Sequence, residues 1–586
     1  MQRSFFQSLG PVEYFALALA ASLTVLFVFV HRRAYALPAL ALAAFLPVPA
    51  VALFSKQFDL VGWHGFMQAS PMYQIMERGV TWPEDPLYAG AELRYPWVEY
   101  WLMAKASLLT GLNPLVLSLV TEAFAYAALL AAVGFIGSKL SRDPLVTGLS
   151  ILFGGFGISI FHSGLLAEPL MRAFPPLWLE SRVIPLDKFL NVTAAPIGYA
   201  AMAVSAAAVV ELLTSEPRER KVLGVVAVST LVAGLFHPLS WLGLLVYQGS
   251  AVLLLLLRRA RAESLRAGRL LAAFGVPSVL CFPYLRALGT TESSDGWMGV
   301  TDSWTLFNAK LADLVFFLAT FALFAYLGRV ELVRRVRARD PVVLLAAIVI
   351  GSLSLAYLVV RMAGRNEYKF LIELVPGAAP VLALALREQL RRTPVAVVVV
   401  LFLLLVPGGM TLGHRPWFEV TDKARVEGRH HRALDPVADE LYSWVAKNTP
   451  PDAVFLAVDL RVPPFGRRSL YVAVDAPWRG RDGWGLMRNQ ILQWHVRRPD
   501  REMYRRQHLA TIVLNGDWAA PAPETMASIQ RDVPGRPLFV HAWYPALAAK
   551  FDATPGFRRR FTNGAGAIFS YSAVNRGSAP ATPPPS

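Results

Sequence analysis

The sequence predicts an α-helical polytopic membrane protein of about twelve spans, with a small extracytoplasmic α/β domain toward its C-terminus. Three observations predict it. Apolar runs of roughly 15 to 25 residues, long enough to cross a ~30 Å hydrocarbon core, recur from residue 14 to about 412. Hydrophobic residues make up 55% of the 586 and charged residues only 17%, with a mean hydropathy of +0.43. That balance excludes a disordered chain and argues against an ordinary cytosolic enzyme. Third, the net charge of +16 is unevenly placed, collecting on alternate connections between the runs.

The twelve runs are 14–30, 35–54, 113–137, 144–163, 192–214, 222–236, 238–257, 269–288, 310–328, 341–361, 370–387 and 394–412. The pair meeting at His237-Pro238 is short enough for a re-entrant hairpin. The first run lacks a strongly basic leader and is followed by His31-Arg32-Arg33, so a cleaved signal peptide is not expected. The single cysteine, Cys281, excludes an intramolecular disulfide and any cysteine-cluster zinc site.

Orientation follows from the basic residues. The connections at 32–33, 138–143, 215–221, 258–269, 329–340 and 387–393 hold 20 Lys/Arg against 7 Asp/Glu. The other set differs: 55–101 has three basic and six acidic residues, 164–191 three of each, and 289–309 no basic and three acidic. The first set is expected in the cytoplasm, and the basic excess is a topology signal rather than a nucleic-acid footprint. The chain is thus expected to be a multi-pass protein of the cytoplasmic membrane, in contact with membrane lipids. Loop 55–112 and everything after about 413 then lie outside the cytoplasm.

The expected divisions are a membrane module over 1–412, a soluble domain over 413–575 and a disordered end over 576–586, where RGSAPATPPPS has no means of building a core. In the soluble domain Asp435 precedes a helical pattern with Val437, Leu441, Trp444 and Val445 on one face. Strand-like runs follow at 454–458, 471–474, 511–514, 538–541 and 567–571.

Loop 55–112 is too long for a simple connection and too apolar for a linker. Residues 66–78 read as a helix with Met67, Tyr73, Ile75 and Met76 on its apolar side, and 97–109 as a second amphipathic stretch. Two such helices along the outer surface would roof a cavity between the spans. Asp59 comes about five residues after the second run ends, at the level of the outer interface. A carboxylate there is partly desolvated and reachable from membrane and water, which are conditions for a general base. A surface acid capping the next helix is the other reading.

The loop also resembles a known family. Asp59, His64, Glu77-Arg78-Gly79, Pro83-Glu84-Asp85-Pro86 and Tyr95-Pro96-Trp97 together look like the first external loop of the integral-membrane glycosyltransferases of the C-type fold (GT-C). These use sugars linked to polyprenyl phosphate. The many spans, the C-terminal domain and the run from Trp444 to Phe455 (WVAKNTPPDAVF) fit the same resemblance. It implies that Asp59 is the base and that the donor is a polyprenyl-phosphate sugar. The acceptor would be a glycan, a lipid or a protein. The Asp-Glu pair of the protein mannosyltransferase-like branch is absent, because Leu60 follows Asp59. Some relatives bind a divalent cation such as magnesium or manganese and others do not, so the resemblance leaves the metal open.

Further polar residues surround the expected cavity. His64 either orients a phosphate or sugar hydroxyl or packs at the interface against Trp63. Glu84 and Asp85 are either a turn with a helix cap or an acid pair for sugar or metal, and Tyr95 follows on the same loop. Asp187 and Lys188 open the fifth run on the outer side, as cavity-mouth groups or as helix-start signals. His237 is either a buried turn histidine or a cavity residue. Between Arg361 and Lys369 an external segment carries three basic residues and one acid, against the pattern of its neighbours. Arg361, Arg365 and Lys369 are four apart, sharing one face if the segment is helical, and suit a donor phosphate. Snorkelling toward headgroups is the alternative.

No G-x-x-x-x-G-K-[ST], G-x-S-x-G or H-E-x-x-H occurs. Few acids lie within the runs, chiefly Glu122, Glu211 and Glu373, and a proton-coupled transporter normally wants a relay of them. The sequence therefore points to a membrane glycosyltransferase working on the outer face with inversion. A transporter or lipid flippase and a non-catalytic scaffold of envelope assembly are its rivals.

Overall fold

The computed structural model describes residues 62–157, 193–215, 219–289, 298–301, 303–362, 367–392, 436–459, 461–474, 501–515 and 523–572; side chains of 62–67 are not described. In chain order the helices begin with α1 (Gly62–Arg78), α2 (Val98–Thr110), α3 (Pro114–Leu140), α4 (Pro144–Phe156), α5 (Ala195–Thr214), α6 (Glu219–Phe236), α7 (Pro238–Leu257) and α8 (Arg261–Gly289). Then come β1 (Met298–Val300), α9 (Trp304–Leu327), α10 (Arg329–Arg337), α11 (Pro341–Val359), β2 (Val360–Met362), α12 (Lys369–Glu373) and α13 (Val375–Arg392). The rest holds α14 (Pro436–Asn448), β3 (Val454–Leu456), α15 (Val462–Gly466), β4 (Ser469–Leu470), α16 (Arg501–Asn515), α17 (Pro523–Asp532), β5 (Leu538–Ala542), α18 (Pro545–Asp552), β6 (Phe557–Asn563) and β7 (Gly566–Tyr571).

The chain forms two compact units, 1–65 with 115–431, and 66–114 with 432–586. The sequence reading kept loop 55–112 with the membrane module; the packing puts 66–114 with the tail instead.

The first unit is helical. Among the described residues five helices are long and apolar enough to cross a membrane, six if the bent α9 is one span. The runs at 14–30, 35–54 and 394–412 lie outside the described residues. Prolines sit at the first turn of α4, α7 and α11, where the missing N–H costs nothing, and Asp143 and Asp340 cap α4 and α11 by accepting from the backbone N–H groups of Leu145 and Val342. One end of this unit is knit by ion pairs between different connections. Lys139 meets Glu211 at 2.5 Å and donates to Ser215 Oγ at 3.0 Å, Arg269 meets Glu219 at 3.1 Å, and Arg387 binds Asp143. Surface pairs of this kind stabilise little, but they put the segments around residues 139–143, 211–219, 269 and 387 at one end of the unit. Those segments all belong to or border the basic set of connections, as an alternating topology requires.

The second unit is mixed α/β. Its sheet runs β4-β3-β5-β7-β6, with β4, β3 and β5 parallel and β7 and β6 antiparallel. The loop after α1 covers the β4 edge: Leu470 N donates to Pro86 O at 2.8 Å, Ala89 N to Leu470 O at 2.9 Å and Ala473 N to Leu87 O at 2.9 Å. An exposed edge strand is thereby satisfied by backbone from about 380 residues upstream.

The helix expected over 66–78 is α1, and the stretch 97–109 is α2. The runs at 454–458, 538–541 and 567–571 fall on β3, β5 and β7. The run 471–474 lies just past β4, buried and bonded to neighbouring backbone. Residues 511–514 are not a strand: they end α16, whose buried side is Met503, Ala510, Val513 and Leu514. A four-residue apolar run cannot be told from one face of a helix by its own pattern. Strand β6 (FRRRFTN) escaped notice because three arginines on an edge hide its alternation.

Candidate functional site

In the helical unit the site grows from the break between α6 and α7. Pro238 starts α7, and His237 caps it from an extended conformation. Its Nδ1 accepts from Ser240 N at 3.2 Å and lies 2.7 Å from Ser240 Oγ. The ring is 6% exposed and packs 5.4 Å from Tyr199. Gly198 lets it in: a Cβ there would lie 3.1 Å from the imidazole Cγ. The other nitrogen, Nε2, is 3.3 Å from Lys369 Nζ. Two residues singled out separately in the sequence, 132 positions apart, thus meet.

Lys369 is half-buried at the first position of α12. One turn on, Glu373 is wholly buried, within electrostatic reach of the Lys369 ammonium and beside Ser240. Gly243 makes room for it, since a Cβ there would come within 2.7 Å of the carboxyl carbon. Tyr247 Oη donates to Glu373 O at 3.0 Å and accepts from Gly377 N at 2.9 Å, fixing the end of α12 to α7. His237, Ser240, Lys369 and Glu373 form one polar cluster in an apolar bundle, where polar groups are costly and mark function more often than chance.

A second cluster holds the segment leading to it. Lys310 on α9 pairs with Glu367 at 2.9 Å, with side chains 5% and 3% exposed. The ammonium donates to Val360 O at 2.8 Å, and Met362 N donates to Glu367 Oε2 at 3.2 Å. Beside it Tyr357 donates to Asp313 at 2.6 Å, and Asp313 is fully buried. The sequence reading passed over Lys310 and Asp313, although a lysine and an aspartate inside the apolar run 310–328 were the signal. The arginine–lysine stripe is not one helix. Arg361 is exposed on β2, paired in register with Gly299 of β1; Lys369 opens α12; Arg365 lies outside the described residues. Glu122 accepts from Thr193 N at 2.9 Å, two residues before α5 begins.

In the mixed unit the acidic turn is a joint. Glu84 accepts from Arg78 at 2.6 Å, from Arg536 at 2.7 and 2.8 Å, from Ser469 Oγ at 2.5 Å and from Gly90 N at 2.8 Å. Burial alone would raise its pKa, but the hydrogen bonds and charge of Arg536, with Arg78 and Ser469, outweigh burial and hold it below the usual range. Glu77 binds Arg467 at 3.1 Å and Arg468 at 2.5 Å. Asp85 is fully buried: Oδ1 accepts from Leu87 N at 2.8 Å, Oδ2 has no hydrogen-bond partner among the described residues, and burial pushes the carboxyl up to about 8. Glu99 on α2 is 1% exposed and pushed up to about 8 by burial as well. Tyr95 stacks on Tyr100 at 6.4 Å.

Asp59, Asp187 and Lys188 lie outside the described residues, and His64 falls within α1, its side chain undescribed. Among the described residues no three His, Cys, Asp or Glu side chains converge to hold a metal ion, and the Glu84 oxygens are already taken by arginines and Ser469.

No family model matches the sequence, and no curated protein matches it. Solved structures do. The arabinofuranosyltransferase AftD from Mycobacteria matches over 95% of this chain and 40% of its own, at 13% identity and a TM-score of 0.51. The chain thus spans about two fifths of that protein. ArnT from Cupriavidus metallidurans, solved bound to undecaprenyl phosphate, matches over 92% of this chain and 98% of its own, at 13% identity and a TM-score of 0.49. The Archaeoglobus fulgidus oligosaccharyltransferase, tethered to an acceptor peptide, matches over 93% and 74%, at 10% identity and a TM-score of 0.44. The chain shares its fold with the arabinofuranosyltransferase AftD.

Proposed function

We propose that this chain is a membrane glycosyltransferase that moves a sugar from a polyprenyl-phosphate donor to an acceptor on the extracytoplasmic face. The observation that carries the reading is the meeting of Lys369 with His237, Ser240 and Glu373 in a bundle of this fold. Fold alone does not fix chemistry, so the residues must supply it. An ammonium held half-buried beside an imidazole is a pre-formed partner for a phosphate oxygen, and Lys310 with Glu367 steadies the backbone on either side of the basic segment.

In the proposed reaction Asp59 takes the proton of the acceptor hydroxyl. The resulting oxygen attacks the anomeric carbon, and the bond from that carbon to the phosphate oxygen breaks with inversion. The electron pair leaves on the lipid phosphate, whose charge Lys369, with Arg365 and Arg361 from the same segment, stabilises. No step needs a soluble nucleotide sugar. A divalent cation, magnesium or manganese, has no donor set among the described residues, and no step is routed through one.

Lys369→Ala is expected to weaken binding of polyprenyl-phosphate sugars by roughly tenfold or more, taking the usual worth of a hydrogen bond to a charged group. Binding by purified protein to a panel of such donors measures it, with membrane insertion as the control. Unchanged affinity would remove Lys369 from the site and leave it a bundle-packing residue.

The tail is proposed to be extracytoplasmic. A cysteine at Ser443, half-exposed on α14, should react with an impermeant maleimide in intact spheroplasts. Labelling only after lysis would invert the topology and defeat the reaction scheme with it.

A further inference from the structure

Helix α10 lies between α9 and α11, two helices apolar enough to cross a membrane when the bent α9 is taken as one span. Only Gly328 separates it from α9, and residues 338–340 lead from it into α11. Its root is fixed. A Cβ at Gly328 would lie 2.6 Å from Ala385 Cα, so the joint sits directly on α13, and Gln389 donates to Leu327 O at 2.9 Å. Arg329 lies over the Tyr326 ring at 4.2 Å and donates to Tyr326 O at 3.0 Å. The far end is closed as well. Arg339 turns left-handed (φ 53°), its N–H donating to Val336 O and that of Asp340 to Arg335 O, both at 2.9 Å. Glycine is the usual residue at such a helix end, and an arginine there adds a cation at a small backbone cost.

Leu332 packs against the bundle and sets the roll of α10. Val330, Val333 and Val336, three apart, then form a stripe that is 78%, 45% and 46% exposed. The stripe prolongs an outward apolar side of α9, where Leu323, Tyr326 and Leu327 are exposed. Cations surround it. Residues 329–340 hold five arginines against Glu331 and Asp340. Glu331 is shared by Arg334 at 2.5 Å and Arg335 at 2.9 Å, and Asp340 binds Arg335 at 2.8 Å. Arg329, Arg337 and Arg339 are exposed and pair with no acid among the described residues.

We propose that α10 is a binding site for anionic phospholipid, its valine stripe entering the boundary between headgroups and acyl chains and its arginines holding the headgroup phosphates. Position and charge select the occupant. A stripe continuous with the outward apolar side of a span, on a helix held between two spans, meets the edge of the same bilayer. Valines left in water gain nothing, and arginines this close together repel one another unless an anion stands among them. An anionic headgroup supplies that charge while its acyl chains cover the valines. A zwitterionic headgroup covers the valines too, but brings its own cation to the arginines. The binding holds whichever side of the membrane carries α10 and whatever reaction the bundle performs.

The test places a fluorophore on a cysteine at Val333 of the full-length protein, held in nanodiscs of phosphatidylcholine with a minor share of phosphatidylglycerol. Cys281 is buried and stays in place, the parent protein giving the labelling blank. Quenching by phosphatidylglycerol carrying a nitroxide high on its acyl chain is compared with quenching by phosphatidylcholine carrying the same group. Phosphatidylglycerol is expected to be enriched around the probe about fivefold or more, the worth of one arginine near an anionic surface. Arg337→Gln together with Arg339→Gln should lower that enrichment about fivefold. Val330→Cys, at the most exposed of the three valines, repeats the reading if the Val333 variant does not insert. Equal quenching by the two lipids with all five arginines present overturns the proposal. So does absence of quenching by either lipid, or an enrichment unchanged by loss of Arg337 and Arg339.

Discussion

Asp59→Asn is expected to lower turnover by roughly 10²–10⁴ while leaving donor-lipid binding close to wild type. Asn keeps the shape and the hydrogen-bonding reach of the aspartate but cannot accept a proton near neutral pH. A loss confined to turnover would mark Asp59 as the group that receives the acceptor proton. The pairing with Lys369→Ala is informative, because that substitution should act on donor affinity. Near-normal turnover in a folded, membrane-inserted Asp59→Asn protein would remove the base and with it the proposed mechanism.

Glu84→Gln should destabilise the mixed unit by about 3 kcal/mol, the lower end of the cost of breaking a buried ion pair. The substitution leaves the guanidinium groups of Arg78 and Arg536, 20% and 14% exposed, without their shared charge. For a unit of about 200 residues that corresponds to a fall in melting temperature of roughly 6–12 °C. The same carboxylate gives the effect a sign in pH. Its folded pKa lies below the ordinary value, so the stabilisation is present above the ordinary carboxylate range and is lost as pH falls through the folded value. Asp85 works the other way: with its carboxyl at about 8 it keeps a proton that the unfolded chain gives up, so its contribution weakens as pH rises from the ordinary range to about 8. A variant that melts with wild type and keeps the wild-type acid limb would show that the Glu84 cluster does not hold the unit together.

The motif that carried the family resemblance is, in this structure, mostly a joint. Glu77 and Glu84 are engaged by Arg467, Arg468, Ser469 and Arg536, residues 385 or more positions downstream, and Arg78 binds Glu84. The sequence had offered Glu84 and Asp85 as a turn or as a sugar- or metal-contacting pair. A carboxylate in a list of residues carries no mark of which cation it will find, so a structural acid and a catalytic one look alike there. His237 and Lys369 show the converse: each stood out alone, as a histidine at a helix break and a lysine in an uneven loop, but their contact joins segments 132 positions apart and no local pattern announces it.

What the sequence determined by itself was additive along the chain. Hydropathy accumulates over a window without reference to partners, so long apolar helices and an alternation of basic connections could be read directly. The ion pairs Lys139–Glu211, Arg269–Glu219 and Arg387–Asp143 then fall among segments that had been assigned to, or border, one side. Helices with a continuous amphipathic face, α1, α2 and α14, were legible for the same reason. Only the tertiary structure decided what depends on pairing across distance. It joined residues 66–114 to the tail through the β4 edge, turned 511–514 into the end of a helix, made a strand of three arginines at β6, and set β3 beside β5 with their connections diverging. Each of these outcomes is chosen by which surface a segment buries against, and that choice belongs to the partner as much as to the segment.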